Sequence, residues 1–295
     1  MARIDAFFKL MHEQKASDLH LVAGQQPALR IQGEMERVKF KVLDNDELKG
    51  MLYEITPEEK IKTFEETGDV DFAYEIPGLA RYRSNFFQQN FGIGAVFREI
   101  PSEILSVEEL GLPPVVAKLA MLPRGLVLVT GPTGSGKSTS LAAIIDESNQ
   151  KRKDHIITIE DPIEFVHKSK SCIVNQREVG MHTKSFASAL RGALREDPDI
   201  ILVGEMRDLQ TISLAIEAAA TGHLVFATLH TTSAAKTVDR IIEVFPAEQQ
   251  AQIRSTLADG IRAVVAQNLL KRIDIPGRIV CPEILIATHA VRALV

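Results

Sequence analysis

One stretch constrains the fold more than any other: residues 131–138 read GPTGSGKS and fit the phosphate-binding pattern G-x-x-x-x-G-K-[ST] at every fixed position. An apolar, β-branched run at Gly125–Thr130 precedes it, and apolar residues at helical spacing follow at residues 139–149. In this strand, loop and helix order, loop N–H groups and a helix N-terminus point at an anion. We therefore expect a P-loop domain built on a parallel sheet.

The side chains of this loop predict how a nucleoside triphosphate would be held. Lys137 would reach the β- and γ-phosphates, and the Ser138 hydroxyl would ligate Mg²⁺. The expected nucleotide-binding residues are Gly131, Pro132, Thr133, Gly134, Ser135, Gly136, Lys137, Ser138 and Thr139. The alternative is an ordinary glycine-rich turn that caps a helix, and the full match in its context argues against it.

Composition excludes several other classes of protein. With 45% hydrophobic and 25% charged residues, the 295-residue chain is typical of a soluble protein with room for two domains. Residues 1–10 lack the apolar core of a signal peptide, and no apolar run approaches the ~20 residues of a spanning helix. The net charge of -5 offers nucleic acid no overall attraction, so no such partner is expected. Cys172 and Cys281 are expected to be buried free thiols.

The first hundred residues have the pattern of an α+β module with an antiparallel sheet. Helices are predicted at Arg3–Gln14, Asp44–Glu54 and Thr56–Glu66, the last two begun by the capping residues Asp44 and Thr56. Strand patterns occupy residues 17–22, 28–32, 69–76, 79–90 and 91–100. We expect an N-terminal domain at 1–100, a proline-rich linker and hinge at 101–114, and a second domain at 115–295.

Three arginines of this module are candidates for phosphate binding. Arg81 and Arg83 are two apart on a predicted strand, so they share a face, and Arg98 lies on the next strand. Guanidinium groups bind phosphate well across a domain or subunit boundary. Charge pattern alone favours the alternative of a solvated sheet face whose arginines pair with acidic side chains. Both interpretations stay open at this point.

In the second domain, apolar strands alternate with helical patterns, which is the signature of a parallel sheet. Polar side chains follow three of its strands: the acidic cluster Glu160–Glu164, then Glu205, then His230. Strand-end carboxylates lie beside the nucleotide crevice, where they can orient a water or meet magnesium. Gly204 stands where a Walker B aspartate is usual, which shifts catalytic load toward the earlier acids. A solvated acidic loop and a structural histidine are the alternatives.

Further along, residues 234–270 are helical in pattern, and a final strand is predicted at 278–286. Five basic residues in or just after the helical stretch fit either subunit contacts or a solvated face. Position alone favours the solvated face.

Four segments occur in an order that resembles the secretion ATPase superfamily of type II secretion and type IV pili. They correspond to its Walker A, Asp box, Walker B and His box and lie at residues 131–138, 157–164, 194–205 and 221–231. The SDLH sequence at residues 17–20 also resembles the start of that family's N-terminal domain. The resemblance spans almost the whole chain. It implies an α/β fold in which a smaller α+β, PAS-like domain precedes a RecA-like P-loop ATPase domain.

The same resemblance implies roles for single residues. Glu164 would be the catalytic base, Glu205 the Walker B acid that meets Mg²⁺ through water, and His230 a γ-phosphate contact. Arg81, Arg83 and Arg98 become phosphate contacts, which reverses the preference from charge pattern. The implied cofactors are ATP and Mg²⁺.

Within the superfamily the chain is similar to the pilus retraction ATPases. It has two widely separated cysteines rather than the cysteine quartet of assembly ATPases, and we expect it to begin directly at the PAS-like domain, without the additional N-terminal domain of those ATPases. Ala290–Val295 matches the beginning of a retraction-type helical motif with Ala293 in place of Asn, so we expect either a sequence cut short or a homologue without the rest.

The retraction resemblance also implies partners and a location. It implies a cytoplasmic homohexamer, peripheral to the inner membrane at the pilus base, whose partners are a platform protein and other pilus ATPases. Two alternatives stay open. One is a related secretion or pilus assembly ATPase, and the other is a low-turnover regulatory partner of another pilus ATPase.

Overall fold

The structure, a computed structural model, describes residues 2–100, 103–274 and 277–295. The chain divides into two compact units, Met1–Ser102 and Glu103–Val295. Each unit has its own sheet and its own buried apolar core. Among the helices of those described ranges, none combines the length and the apolar character that a membrane span needs.

The first unit is a six-stranded antiparallel sheet with three helices packed against it. The helices are α1 (Asp5–Glu13), α2 (Asn45–Tyr53) and α3 (Glu58–Thr67). The strands are β1 (Asp18–Val22), β2 (Ala28–Ile31), β3 (Glu34–Arg37), β4 (Asp69–Ile76), β5 (Ala80–Gln89) and β6 (Gly92–Ile100). Their order across the sheet is β3-β2-β1-β6-β5-β4.

Alternation along β5 explains how this sheet separates its two faces. Tyr82 and Phe86 are fully buried, and the Tyr82 ring lies 4.3 Å from the ring centroid of Phe8 in α1. One predicted helix cap is correct and one is wrong. Asp44 accepts a hydrogen bond from the third residue of its helix, but the Thr56 hydroxyl instead donates to the Leu52 carbonyl at 2.7 Å.

The second unit is a seven-stranded sheet with helices on both faces. Its strands are β7 (Gly125–Thr130), β8 (His155–Glu160), β9 (Ile173–Glu178), β10 (Ile200–Val203), β11 (Leu224–Leu229), β12 (Ile261–Lys271) and β13 (Arg278–Ile286). Its helices are α4 (Pro114–Leu119), α5 (Lys137–Lys151), α6 (Phe186–Ala193), α7 (Leu209–Ala220), α8 (Ala234–Glu243), α9 (Ala247–Gly260) and α10 (His289–Arg292).

The strand order of this sheet is β13-β12-β7-β11-β10-β8-β9, and only β13 runs antiparallel to its neighbour. Helices pack on both faces because separate apolar clusters lie above and below the sheet. The predicted α/β fold class is confirmed. The carboxyl ends of β7, β8, β10 and β11 lie at the same end of the sheet. This end carries the residues of the candidate site.

Two predictions for the second unit are wrong. Residues 234–270 were expected to be helical throughout, but the structure ends α9 at Gly260 and continues as β12. The apolar run that opens β12 is buried because it pairs in parallel with β7, and such a run fits a central strand as well as a buried helix. Cys172 is buried as expected, whereas Cys281 is exposed because it lies on the edge strand β13.

Part of the expected linker packs on the second unit. Val107 and Leu112 are buried in the same apolar cluster as α4, and Ser106 and Glu109 cap one another through three hydrogen bonds. The first two residues of the expected linker, 101 and 102, lie outside the described residues.

Candidate nucleotide-binding site

The P-loop connects β7 to α5 through glycines in conformations that other residues rarely adopt. Gly131, Gly134 and Gly136 have φ values of 145°, 77° and 86°. At Gly131 a side chain is also excluded by space, because a Cβ would lie 2.3 Å from the Gln267 carbonyl oxygen and 2.6 Å from the Ser135 hydroxyl. The loop therefore has its phosphate-cradling shape because of its backbone.

One side chain from the neighbouring strand β12 supports the P-loop from behind. Gln267 is 1% exposed, and its Nε2 donates to the Ser135 carbonyl at 2.8 Å. The sequence did not point to Gln267, because it falls in the stretch that was expected to be helical. A correct assignment of β12 beside β7 would have placed it behind the loop.

Lys137 lies at the start of α5 with its ammonium inside the loop. Its Nζ donates to the carbonyls of Gly131 at 2.9 Å and Pro132 at 3.1 Å. Burial lowers the pKa of Lys137, and the charges of Glu205 and Glu164 oppose that change. The ammonium therefore lies within electrostatic reach of both predicted catalytic carboxylates.

Glu205 and His230 follow the adjacent strands β10 and β11 and contact each other. The Glu205 Oε1 lies 2.7 Å from His230 Nε2 and 2.5 Å from Arg207 Nε. Burial alone would raise the pKa of Glu205, but Arg207 and His230 together outweigh it, so the pKa of this carboxyl is lowered. Glu205 is therefore held as an anion. Arg207 was not among the predicted site residues, although it lies only two positions beyond Glu205.

Close packing explains why glycine occupies the usual position of the Walker B aspartate. The Gly204 N–H donates to the Ile159 carbonyl at 2.7 Å, and a Cβ at Gly204 would lie 3.1 Å from that oxygen and 3.2 Å from the Glu160 Cα. An aspartate would press on the end of β8. The carboxylate of this strand end is therefore carried one residue later, by Glu205.

The acidic cluster after β8 contains two glutamates in different surroundings. Glu160 accepts hydrogen bonds from Thr158 Oγ1 at 2.6 Å and Gln176 Nε2 at 3.1 Å, yet burial raises the pKa of its carboxyl. Glu164 is exposed, and its backbone N–H lies 3.5 Å from Glu160 Oε2. Of the two, Glu164 is the glutamate that a bound substrate can reach.

The site residues suit a nucleotide and a divalent cation. Glycine N–H groups, the Lys137 ammonium and the N-terminus of the 15-residue helix α5 supply donors and positive charge for phosphates. The Ser138 hydroxyl supplies an oxygen ligand of the kind that Mg²⁺ prefers, and the Glu205 carboxylate can accept a hydrogen bond from a water bound to that ion. The structure thus places together the predicted P-loop, Glu164, Glu205 and His230.

The three predicted arginines belong to the first unit, where they share one sheet face. Arg83 lies directly opposite Arg98 in the β5–β6 pairing, and Arg81 is two residues from Arg83. The Arg98 Nε donates to Asp18 Oδ1 at 2.8 Å, and the Arg83 Nε lies 4.0 Å from Asp71 Oδ1. Two of the arginines therefore pair with aspartates within their own unit.

A P-loop on a parallel sheet, with acids and an imidazole at the ends of neighbouring strands, defines a RecA-like P-loop nucleotide-binding protein. The profile of the family described as Type II/IV secretion system protein matches residues 3–279. The chain therefore belongs to that family, and the resemblance predicted from the four motifs is confirmed.

Similar proteins extend this result. The chain is 56% identical over 283 residues to a Pseudomonas aeruginosa protein named Type IV pilus retractation ATPase PilT, covering 96% of this chain and 82% of that one. It is 54% identical over 269 residues to a Neisseria gonorrhoeae protein named Twitching motility protein, covering 91% and 72%. A crystal structure of the pilus retraction motor PilT with bound ADP matches with a TM-score of 0.95 and 48% identity, covering 100% of this chain and 85% of that one.

Proposed function

We propose that this protein is an ATP-hydrolysing motor that drives type IV pilus retraction and twitching motility. The observation that carries the proposal is the 56% identity to a protein named as a pilus retraction ATPase along 96% of the chain. Lys137 lies within electrostatic reach of Glu164 and Glu205, which supports hydrolysis rather than nucleotide binding alone.

The P-loop would bind the triphosphate through backbone N–H groups of residues 131 and 133–139 and through the Lys137 ammonium. To reach a phosphate, this ammonium exchanges its hydrogen bonds to the Gly131 and Pro132 carbonyls for phosphate oxygens. Ser138 would ligate Mg²⁺ and Glu205 would hold it through a water; when bound, the ion supplies positive charge against the phosphate oxygens.

Hydrolysis then needs a base and a group that contacts the γ-phosphate. The Glu164 carboxylate accepts a proton from a water whose oxygen attacks the γ-phosphorus, and the bond to the β–γ bridging oxygen breaks to give ADP and phosphate. His230 contacts the γ-phosphate through one ring nitrogen, while its other ring nitrogen, Nε2, pairs with Glu205 Oε1. The Glu205 contact thereby fixes the orientation of the imidazole.

Force would arise from a ring of six copies. Arg81, Arg83 and Arg98 contact phosphate across a domain or subunit boundary, so that hydrolysis and phosphate release change the orientation of domains. The ring is cytoplasmic and docks peripherally at the inner membrane, on a platform protein of the pilus base. Other pilus ATPases are further partners, and no nucleic acid is expected.

A substitution at the proposed base tests the catalytic assignment. In the full chain, Glu164→Gln is expected to lower kcat for ATP about 10²- to 10³-fold while binding of a non-hydrolysable ATP analogue changes less than about threefold. Glu243→Gln, at an exposed glutamate of α8, is the matched control and should keep wild-type turnover. Unchanged turnover in Glu164→Gln would overturn the role of Glu164.

Two arginine substitutions test the phosphate contacts. Arg81→Ala and Arg98→Ala are each expected to lower ATP turnover of the assembled protein at least about tenfold, because a charge-assisted contact to phosphate is lost. Thermal unfolding of each variant is measured in parallel. Turnover that stays intact in both variants contradicts the proposal.

A genetic experiment tests the direction of force. Cells that lack the protein should remain piliated but should not retract pili or twitch, and the wild-type chain should restore both where Lys137→Ala does not. Loss of pili in the deletion strain would favour an assembly motor instead.

A further inference from the structure

The segment that carries Glu164 follows β8 outside regular secondary structure, and its side chains alternate between buried and exposed positions. Ile163, Phe165 and His167 are 4%, 8% and 8% exposed, whereas Glu164 and Val166 between them face outward. Alternation of this kind has a period of two, so a slip by one residue would turn Glu164 inward. The register of the segment therefore decides where the Glu164 carboxylate lies.

The inward side of this segment faces the P-loop helix. Phe165 and His167 line a cavity of about 30 Å³ together with Ser138 and Leu141 of α5. A shift of the segment would therefore move Glu164 relative to the phosphate-binding loop.

Side chains of β9, rather than a backbone ladder, hold the segment in register. The Gln176 Oε1 accepts from the His167 N–H at 2.7 Å, and its Nε2 donates to the Phe165 carbonyl at 2.8 Å. Two residues along the same strand, the Glu178 Oε2 accepts from the Ile163 N–H at 3.0 Å. These bonds attach every second residue of the segment to one face of β9.

Gln176 also joins the segment to the end of β8. Its Nε2 donates to Glu160 Oε1 at 3.1 Å, and it lies opposite Thr158 in the parallel pairing of β8 with β9. Thr158 in turn donates to the same Glu160 oxygen. A single carboxamide thus uses both donors and its acceptor to connect three stretches of chain, and an apolar replacement would leave their polar groups unpaired.

We propose that Gln176 is a positioning residue, which holds Glu164 at the nucleotide site by fixing the register of residues 163–167. The inference rests on the proposed role of Glu164 as catalytic base. The hydrogen bonds of Gln176 go to Glu160, Phe165 and His167, so it is given no contact with the phosphates or the attacking water. It acts on turnover only through Glu164, and this dependence separates positioning from general stabilisation.

The test is a double-mutant cycle in the full chain. Gln176→Met keeps the length of the side chain but removes its hydrogen bonds, and it is expected to lower kcat at least about tenfold while KM for ATP changes less than about threefold. In the Glu164→Gln background the same substitution should lower kcat by less than about twofold, because the base through which it acts is already absent. Asn175→Ala, on the other face of β9, is the matched control and should keep wild-type kcat.

Hydrogen exchange gives a readout that does not depend on activity. The amide of His167 should exchange at least about tenfold faster in Gln176→Met than in the wild type, while amides of the P-loop helix α5 keep their rates. Glu178→Gln, which retains an acceptor oxygen for the Ile163 N–H, should leave the Ile163 rate unchanged. If Gln176→Met does not fold, Gln176→Glu, which keeps the acceptor but loses the donors, should show the same loss of kcat.

Three results overturn the inference: an unchanged kcat in Gln176→Met, an unchanged His167 exchange rate, or an equal loss of kcat in both backgrounds. A failure of the proposed function gives a different result, because Glu164→Gln alone would then keep wild-type turnover. Loss of turnover in Glu164→Gln with none in Gln176→Met refutes only the positioning role.

Discussion

The two loops that meet at the nucleotide site have their shapes for different reasons. The P-loop after β7 depends on its own backbone, with glycines at three positive φ values. The segment at residues 163–167 after β8 depends on side chains of another strand, Gln176 and Glu178 of β9. Both loops follow buried parallel strands, and both begin at the carboxyl end of the sheet.

The difference explains why one loop is visible in a sequence and the other is not. A backbone shape that only glycine adopts leaves glycines at fixed spacing, and a pattern search finds them. A shape held by side chains leaves polar residues on a strand that follows later in the chain. Nothing in the spacing of Gln176 and Glu160 indicates that their side chains meet.

The largest expected effect tests whether the P-loop owes its shape to its glycine backbone. In Gly131→Ala the new Cβ would lie 2.3 Å from the Gln267 carbonyl oxygen at a φ of 145°. Steric overlap and backbone strain together should lower the free energy of unfolding by about 3 kcal/mol. Urea-induced unfolding followed by circular dichroism measures the change, and nucleotide binding should be lost as well.

Gly134→Ala is the matched control for this prediction. It also has a positive φ, of 77°, but its Cβ would meet no atom within 4 Å. Strain alone should then cost about 1 kcal/mol. Equal losses in the two variants would show that space at Gly131 does not shape the loop.

The sequence predicted the parts of the site that depend on local pattern. It located the P-loop, Glu164, Glu205 and His230, because each follows an apolar strand and parallel strands end at one edge. The roles of these residues stay predictions. The sequence also predicted the α/β class. In the first unit it predicted the helices and strands except the short β3.

The errors have a common physical cause, since they fall where tertiary contacts override local preference. The helix expected up to residue 270 became β12 because β7 offers that run a parallel strand to pair with. Cys281 is exposed because β13 lies at the sheet edge, and edge position cannot be read from an apolar run. Strand β9 has a polar, half-exposed pattern, so it gave little signal although it holds the Glu164 segment.

A second, smaller effect tests the packing of the Glu164 segment through the pH dependence of stability. Burial lowers the pKa of His167 to about 4 from an ordinary value of 6.5, with Asp146 opposing and Lys170 adding to this change. At a pH between these two pKa values the unfolded chain binds a proton that the folded chain does not, so the free energy of unfolding falls as the solution is acidified. From pH 7 to pH 5 this histidine should cost about 2 kcal/mol.

Urea-induced unfolding at both pH values measures this loss in the wild type and in His167→Gln. The variant lacks the titrating ring and should lose about 2 kcal/mol less than the wild type over the same interval. The same dependence on pH in both proteins would mean that His167 is not a buried neutral group of the Glu164 segment.

The smallest effect concerns Gln267, whose side chain supports the P-loop as Gln176 supports the Glu164 segment. Its Nε2 donates to the Ser135 carbonyl at 2.8 Å, but its Oε1 is buried without a partner among the described residues. Gln267→Leu loses one hydrogen bond and also removes that unpaired oxygen, so the net loss of stability should be about 1 kcal/mol. Because glycine conformations determine the shape of the loop, ATP turnover should change less than about threefold.

Asn268→Ala, on the exposed face of β12, is the control. A tenfold loss of turnover in Gln267→Leu, similar to that expected for Gln176→Met, would show that the P-loop also depends on side chains from its neighbouring strand.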